Sequence, residues 1–437
     1  MRNAQGRALT AAIAAVAVLG LAGCQSLDAP DTTEGPDDDT TISVGFVTPL
    51  TGPLAAFGEP DEWVVAQMQE WFDANPIEAG GKTYAVDIML EDSQSSADQA
   101  AAAAQRLISN GADVLLAHAT PETTVPVSLQ CIASEIPCIT ADTPLEPWGL
   151  SVVGGADPGE LAGKEPVPWV HHFFWGLGDI ATVFQDMWNQ VDTNKKVAGL
   201  FPNDADGQAW NGAFPGIFEA AGNGYELYAP SLYDPGTTDF TALINSFKAA
   251  DTQILTGVVP PPDFAAFWQQ AQQLGFQPKI VSIGKAIEFP AAIEAIEDPV
   301  GLTTEVWWTP TAPFTSNLTG ESASELADSY TGATGKQWTV GLGFSEALFE
   351  VLQQAVVDAG GIDGAAIDAA VGAMSIDTIV GPLDFTAGPY PNTATSPLVG
   401  GQWVAAEDGE FPYDLQVVSN SEAPEIPSVG DVVPMSY

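Results

Sequence analysis

Short apolar runs alternate with longer amphipathic stretches along this chain. "ISVGFV" (42–47) is apolar and rich in β-branched residues, which predicts a strand. "EWVVAQMQEWF" (62–72) sets Val64, Met68, Trp71 and Phe72 on one helical face. "YAVDIML" (84–90) predicts the next strand, and "SADQAAAAAQRLISNG" (96–111) an alanine-rich helix that Gly111 ends. "DVLLA" (113–117), "ETTVPVSLQCIASE" (122–135) and "IPCIT" (136–140) add strand, helix and strand. A second series follows, with strands at "KVAGLF" (196–201), "YELYAP" (225–230), "TQILTGV" (252–258) and "KIVSI" (279–283) and helices at 208–221, 238–250 and 262–275. Wholly apolar strands separated by helices predict parallel sheets covered on both faces. The segment around 155–166, rich in Gly, Pro and charge, separates the two series. After 303 the pattern gives helices near 321–331 and 341–359 and a strand at "GPLDF" (381–385), too little for a third sheet. The expected fold class is α/β, two doubly wound parallel-sheet lobes.

The N-terminus follows another pattern. Arg2 and Arg7 precede the apolar run "ALTAAIAAVAVLGLA" (8–22), too short for a comfortable transmembrane helix. It reads as an export signal over residues 1–23. "LAGC" (21–24) resembles a bacterial lipobox, which implies cleavage before Cys24 and lipid on its sulfur. Residues 24–41 hold almost no bulky apolar side chain and many Asp, Thr and Pro, and are expected to form a tether between a lipid anchor and a folded body. Cys131 and Cys138 lie in a chain expected to be exported, where disulfides persist. With one at a helix end and the other at a strand start, a Cys131–Cys138 disulfide is expected, two buried thiols being the alternative.

Charge narrows the partners. Lys and Arg number 11 against 57 Asp and Glu, for a net charge of −46. Such a field repels phosphates, so nucleic acid is excluded as a partner. No G-x-S-x-G, H-E-x-x-H or phosphate-binding glycine loop is present. His171 and His172 are adjacent and would face opposite ways on a strand. No catalytic residue, cofactor or metal site is therefore assigned.

Ligands of open parallel sheets bind beyond the carboxyl ends of the strands. The loops in that position are "TPLTGPLAAFG" (48–58), "HATPETT" (118–124) and "ADTPLEPW" (141–148) in the first lobe. In the second they are "PNDADGQAW" (202–210), "VPPPD" (259–263) and "GKAIE" (284–288). Phe57, His118, Trp148, Trp210, Pro260 and Lys285 stand in these loops as candidate ligand contacts. Trp175 is a further candidate contact, and Trp307 and Trp308 are further tryptophans beyond these loops. Several tryptophans near one cleft suit an apolar or aromatic ligand.

"VGFVTPLTGPLAAFG" (44–58), "LEDSQSSADQAAAAAQRLIS" and "DVLLAHATPETTVPV", in this order behind a lipobox, resemble the solute-binding proteins of ABC importers, most closely the leucine/isoleucine/valine-binding branch. The resemblance covers about 42–404, with support from "IVGPLDF" and "LVGGQW". It implies a type I periplasmic-binding fold with three crossings between lobes, near 165–175, 303–310 and 378–386. The first lobe would comprise 42–165 and 309–378, the second 170–303 and 385–437. Family members hold an amino acid's carboxylate at positions matching Ala119, Thr120, Ala141 and Thr143. They usually place an acid for the ligand's ammonium near "GKAIE", where this chain has Lys285, with Glu288 close by. A lysine suits a carboxylate better than an ammonium. The expected ligand is a small amino-acid-like, carboxylate-bearing or aromatic solute, and Lys285 is expected to take its negative charge. The expected partners are ABC transporter permease subunits and, through the anchor, the membrane, on the extracytoplasmic side, for a monomer. A sensor of the same fold and a carbohydrate-binding protein remain alternatives.

Overall fold

The computed structural model describes residues 40–155, 157–406 and 409–437. The signal segment, Cys24 and nearly all of the expected tether lie outside them. Strands β1 (Thr41–Thr48), β2 (Ile77–Ala79), β3 (Lys82–Asp92), β4 (Val114–Ala117), β5 (Cys138–Ala141) and β6 (Val170–Phe174) alternate with helices α1 (Asp61–Ala74), α2 (Ala97–Ser109), α3 (Pro121–Ser134) and α4 (Leu145–Gly149). Strands β7 (Lys196–Leu200), β8 (Glu226–Tyr228), β9 (Ile254–Val258), β10 (Ile280–Gly284) and β11 (Thr303–Val306) alternate with α5 (Leu177–Asn189), α6 (Ala205–Ala221), α7 (Thr241–Ala249), α8 (Pro261–Gln273) and α9 (Pro290–Glu294). The last part holds α10 (Ala323–Thr334), α11 (Leu342–Ala359), α12 (Gly364–Gly372), β12 (Ser375–Thr378), β13 (Gly381–Asp384), β14 (Thr393–Thr395), β15 (Val399–Ala405) and β16 (Tyr413–Ser419).

These strands form two seven-stranded sheets, ordered β14-β6-β5-β4-β1-β3-β2 and β16-β15-β11-β10-β9-β7-β8, and β12 pairs with β13 in a separate ribbon. The central pairings are parallel; β2, β15 and β16 add antiparallel edges. Every residue of β4, β9 and β10 is buried, as strands covered on both faces require. Strand order reverses direction between β1 and β4 in one sheet and between β7 and β9 in the other. Both reversals open a crevice at the carboxyl ends of those strands, which aims the loops after β1, β4, β7 and β9 at one cleft.

Strand pairing revises two of the expected crossings. β6 pairs with β5, so Val170–Phe174 belongs to the first sheet and the chain crosses at 175–176, just before α5. β14 pairs with β6, so the third crossing falls at 396–398 rather than near 378–386. The second follows β11 at Trp307 and Trp308, within the expected interval. Helix α11 then lies in the first lobe, where Phe349 stacks on Phe46 of β1 at 5.6 Å.

The expected disulfide is corrected. Cys131 and Cys138 are free, buried thiols. Both sit in an apolar cluster with Ala104, Leu107 and Val127. Burial, and next a hydrogen bond with Cys138, push the Cys131 thiol well above the usual cysteine range, which keeps it protonated and unreactive.

Candidate functional site

The lobes meet around one cavity. Phe57, Thr120, Asp142, Pro144, Phe174 and Trp175 line it from the first lobe and the first crossing. Asp206, Val258, Lys285, Glu288, Glu305 and Trp307 line it from the second lobe and the second crossing. The enclosed space is about 20 Å³, room for about one water. As it stands this space is too small for an organic solute. The walls touch across the cleft: the Phe57 ring stands edge-on to Phe289 of the second lobe at 4.6 Å.

Lys285 follows β10 with φ +69, a left-handed conformation that only a tightly held loop gives a non-glycine residue. Its backbone N–H donates to Glu288. Its ammonium lies 2.7 Å from Asp206 Oδ2, in the first turn of α6, and 3.6 Å from Glu122 Oε2, in the first turn of α3. The three groups thus join the second lobe to the first. Burial alone would lower the lysine pKa; Asp206, Glu122 and Asp204 outweigh it and hold Lys285 charged. Burial in turn pushes Asp206 up against the pull of Lys285. The charge that the sequence led one to seek on a ligand is supplied here by the chain.

Glu288 and Glu305 face each other beside this pair. Burial raises both, and the charge of Glu305 raises Glu288 further. Such a pair holds at least one proton between them at neutral pH. Glu305 belongs to β11 and fills the space over Gly284, where a Cβ would come within 2.5 Å of its carboxylate.

His118 was expected to touch the ligand. It lies instead behind the wall, fully buried between Asp61 Oδ2 at 2.6 Å from Nε2 and Asp142 Oδ2 at 2.5 Å from Nδ1. With both ring nitrogens facing carboxylates it is an imidazolium. Burial opposes that charge, but Asp61 and then Asp142 prevail and raise its pKa to about 10. Ser345 of α11 donates to Asp61 Oδ1 at 2.6 Å, and Thr48 donates to Oδ2. This network fixes Asp142, whose φ is +67, with Oδ2 on the histidine and Oδ1 buried without a hydrogen-bond partner at the cavity. Burial raises Asp142 to about 6 against the lowering effect of His118.

The remaining candidates divide. Phe57, Thr120, Trp175 and Lys285 line the cavity. Ala119 has φ +99, and its carbonyl accepts from the Thr143 hydroxyl at 3.0 Å. Thr143 also bonds to Thr124 at 2.7 Å, so its hydroxyl ties two loops together. Ala141 ends β5 and is buried. Trp148 lies under the cleft, stacked on His172 at 4.8 Å and donating to Ser128 at 3.2 Å. Trp210 sits behind Trp175, with the rings 6.5 Å apart. Pro260 immediately precedes α8, two residues beyond the lining residue Val258. Not singled out from the sequence were Asp142, Phe174, Asp206 and Glu305. A lone acid inside an apolar strand, as in "TTEVWW", was the available signal for Glu305. Among the described residues no His, Cys, Asp and Glu cluster has a metal-holding arrangement.

The profile of the family described as periplasmic binding protein matches residues 41–409. The chain belongs to that family. It shares 26% identity over 215 residues with a Leu/Ile/Val-binding protein homolog of Brucella melitensis, which is 49% of this chain and 53% of that protein; the chain thus spans about half the length of this curated relative. Among solved structures it is similar to a leucine-binding protein of Thermotoga maritima, with a TM-score of 0.69 at 18% identity over 87% of this chain and 99% of the other. It is also similar to a solute-binding protein of an ABC transporter from Rhodopseudomonas palustris in complex with 3,4-dihydroxybenzoic acid, at TM-score 0.67 and 16% identity, over 88% and 99%. A branched-chain amino acid transporter substrate-binding protein of Streptococcus pneumoniae in complex with isoleucine gives 0.67 and 15%, over 87% and 99%. The two α/β lobes are those of the type I periplasmic binding fold. Among the described residues no helix is long and apolar enough to cross a membrane.

Proposed function

We propose that this periplasmic binding protein is lipid-anchored through Cys24, captures a small amino-acid-like or aromatic organic solute between its lobes outside the cytoplasm, and delivers it unchanged to the permease of an ABC-type importer. The observation that carries the reading is the cavity between the lobes, with aromatic walls and ionisable groups contributed from both sides. Closing such walls on a solute buries its apolar part and confronts its charges with fixed groups. "LAGC" behind the apolar export segment supports the anchor. A solute carboxylate on Lys285 belongs to this reading only if it displaces Asp206 or Glu122, because both already neutralise that lysine. Native mass spectrometry of the protein extracted from membranes tests both parts at once. The expected result is a chain beginning at a lipid-modified Cys24, carrying one small organic solute that leaves unaltered on denaturation. An unmodified N-terminus sinks the anchor, and release of a chemically converted solute sinks the binding role.

A further inference from the structure

The charges facing the cavity are unequal. Asp142, Asp206, Glu288 and Glu305 line it, with Lys285 as the one cation among the lining residues. Lys285 is shared between Asp206 at 2.7 Å and Glu122 at 3.6 Å. His118 is no substitute, because it is buried behind Asp142 and both its nitrogens are engaged by aspartates. No lining cation is thus left for a solute carboxylate.

Unpartnered atoms point to the complementary ligand. Asp142 Oδ1 is buried without a hydrogen-bond donor, on a residue 3% exposed, while Glu288, 2% exposed, shares a proton with Glu305 and leaves that pair one negative charge. A buried carboxylate oxygen in that position requires an N–H or O–H. The aromatic side chains supply a wall suited to a cation and its apolar body: Phe174 is edge-on to Trp307 at 5.1 Å, and Phe57 stacks with Trp307 at 6.3 Å. The indole N–H groups of Trp175 and Trp307 are also buried without an acceptor, which suits a neutral oxygen on the same solute.

Building on the solute-binding reading above, we propose that the solute is a small organic amine in its protonated form, lacking a carboxylate, whose ammonium N–H groups donate to Asp142 from the first lobe and to the Glu288–Glu305 pair from the second while its apolar body lies against Phe57, Phe174 and Trp307. His118 acts through Asp142 as a positioning residue and does not touch the solute. Asp142 and the Glu288–Glu305 pair stand on opposite lobes, so one ammonium between them draws the lobes together.

Matched solutes test this without altering the protein. Calorimetric titration of the refolded, solute-free protein uses two series: isoamylamine, leucine and 4-methylpentanoate, then tyramine, tyrosine and 3-(4-hydroxyphenyl)propionate. Each series keeps its carbon skeleton and changes only the charged groups. The expected result is tightest binding of the amine in at least one series, about tenfold or more over the amino acid, with the carboxylate weakest. Asp142→Asn, checked for native melting, should cut amine affinity by about tenfold or more and leave the affinity ranking of the other two solutes unaltered. Tighter binding of the amino acid or the carboxylate than of the amine in both series overturns the amine assignment and leaves the solute-binding role standing. Failure of both amines to bind also overturns it, and the solute recovered by mass spectrometry then judges the broader role separately.

Discussion

Lys285, with Asp206 and Glu122, forms a buried ionic cluster that joins the second lobe to the first. A lysine just past an apolar strand of an α/β lobe faces the cleft, and Lys285 does line it. Its partners could not be read from the sequence, because Asp206 is 79 positions away and Glu122 lies in the other lobe. Removing one partner of a buried ion pair leaves an uncompensated charge. Lys285→Met should therefore destabilise the folded protein by about 3–5 kcal/mol in chemical unfolding. Removing Asp206 as well, in Lys285→Met with Asp206→Leu, should recover part of that loss. A loss below about 1 kcal/mol for the single variant, the scale of an exposed pair, would show that Lys285 and Asp206 are solvated rather than locked together.

At the scale of elements, α11 organises the hinge. It packs in the first lobe and carries Ser345 to the Asp61–His118 network. Its Gly343 leaves room for Trp308 of the second crossing: a Cβ there would lie 2.4 Å from the indole Cδ1 and Nε1. The same indole donates to Ile379 between β12 and β13 at 3.1 Å. Gly343→Ala should thus force Trp308 aside and lower stability by about 1–3 kcal/mol, the usual cost of overpacking a core. An unchanged unfolding midpoint would mean that Trp308 has other room. The sequence pattern located β1, β3 to β5 and β7 to β10 with helices α1 to α3 and α6 to α8, since each is a short apolar run or an amphipathic stretch with local boundaries; it did not name α4 or α5. The family resemblance put the first crossing near 165–175, but "VHHFF", with His171 and His172 buried, pairs as β6 in the first sheet. The pattern missed β14 because three residues of "NTATSP" acquire strand geometry only by pairing with β6, more than 200 positions earlier. The Cys131–Cys138 expectation failed for a related reason: spacing brought the cysteines close, but packing left them as thiols in an apolar cluster.

Across the whole molecule the dominant fact is acidity, −46 net, with several carboxyls buried. Burial raises Asp142 to about 6, and burial followed by Glu346 raises Glu350 to about 8. His118 is raised to about 10 by its two aspartates against the opposing effect of burial. A group whose folded pKa exceeds its unfolded value stabilises the fold fully below the unfolded pKa, and that stabilisation is lost as pH rises through the folded pKa. Asp142 contributes this loss up to about 6, Glu350 up to about 8 and His118 between 6.5 and about 10, all with the same sign. Self-repulsion of the ionised surface adds to it. His172, lowered to about 3 by burial, works the other way only below 6.5, so the melting temperature should fall from about pH 6.5 to about pH 9 and rise with added salt at the upper end. A stability maximum near pH 8 would mean that these buried groups are solvated in the native protein.

Closure of the two lobes on a solute, without turnover, is the claim on which this account rests. Small-angle scattering of the protein, first stripped of solute and then titrated with the solute recovered from it, addresses that claim most directly. The predicted result is a fall in radius of gyration that saturates at one solute per chain, with the solute recovered intact. A radius of gyration unchanged through saturation would contradict it.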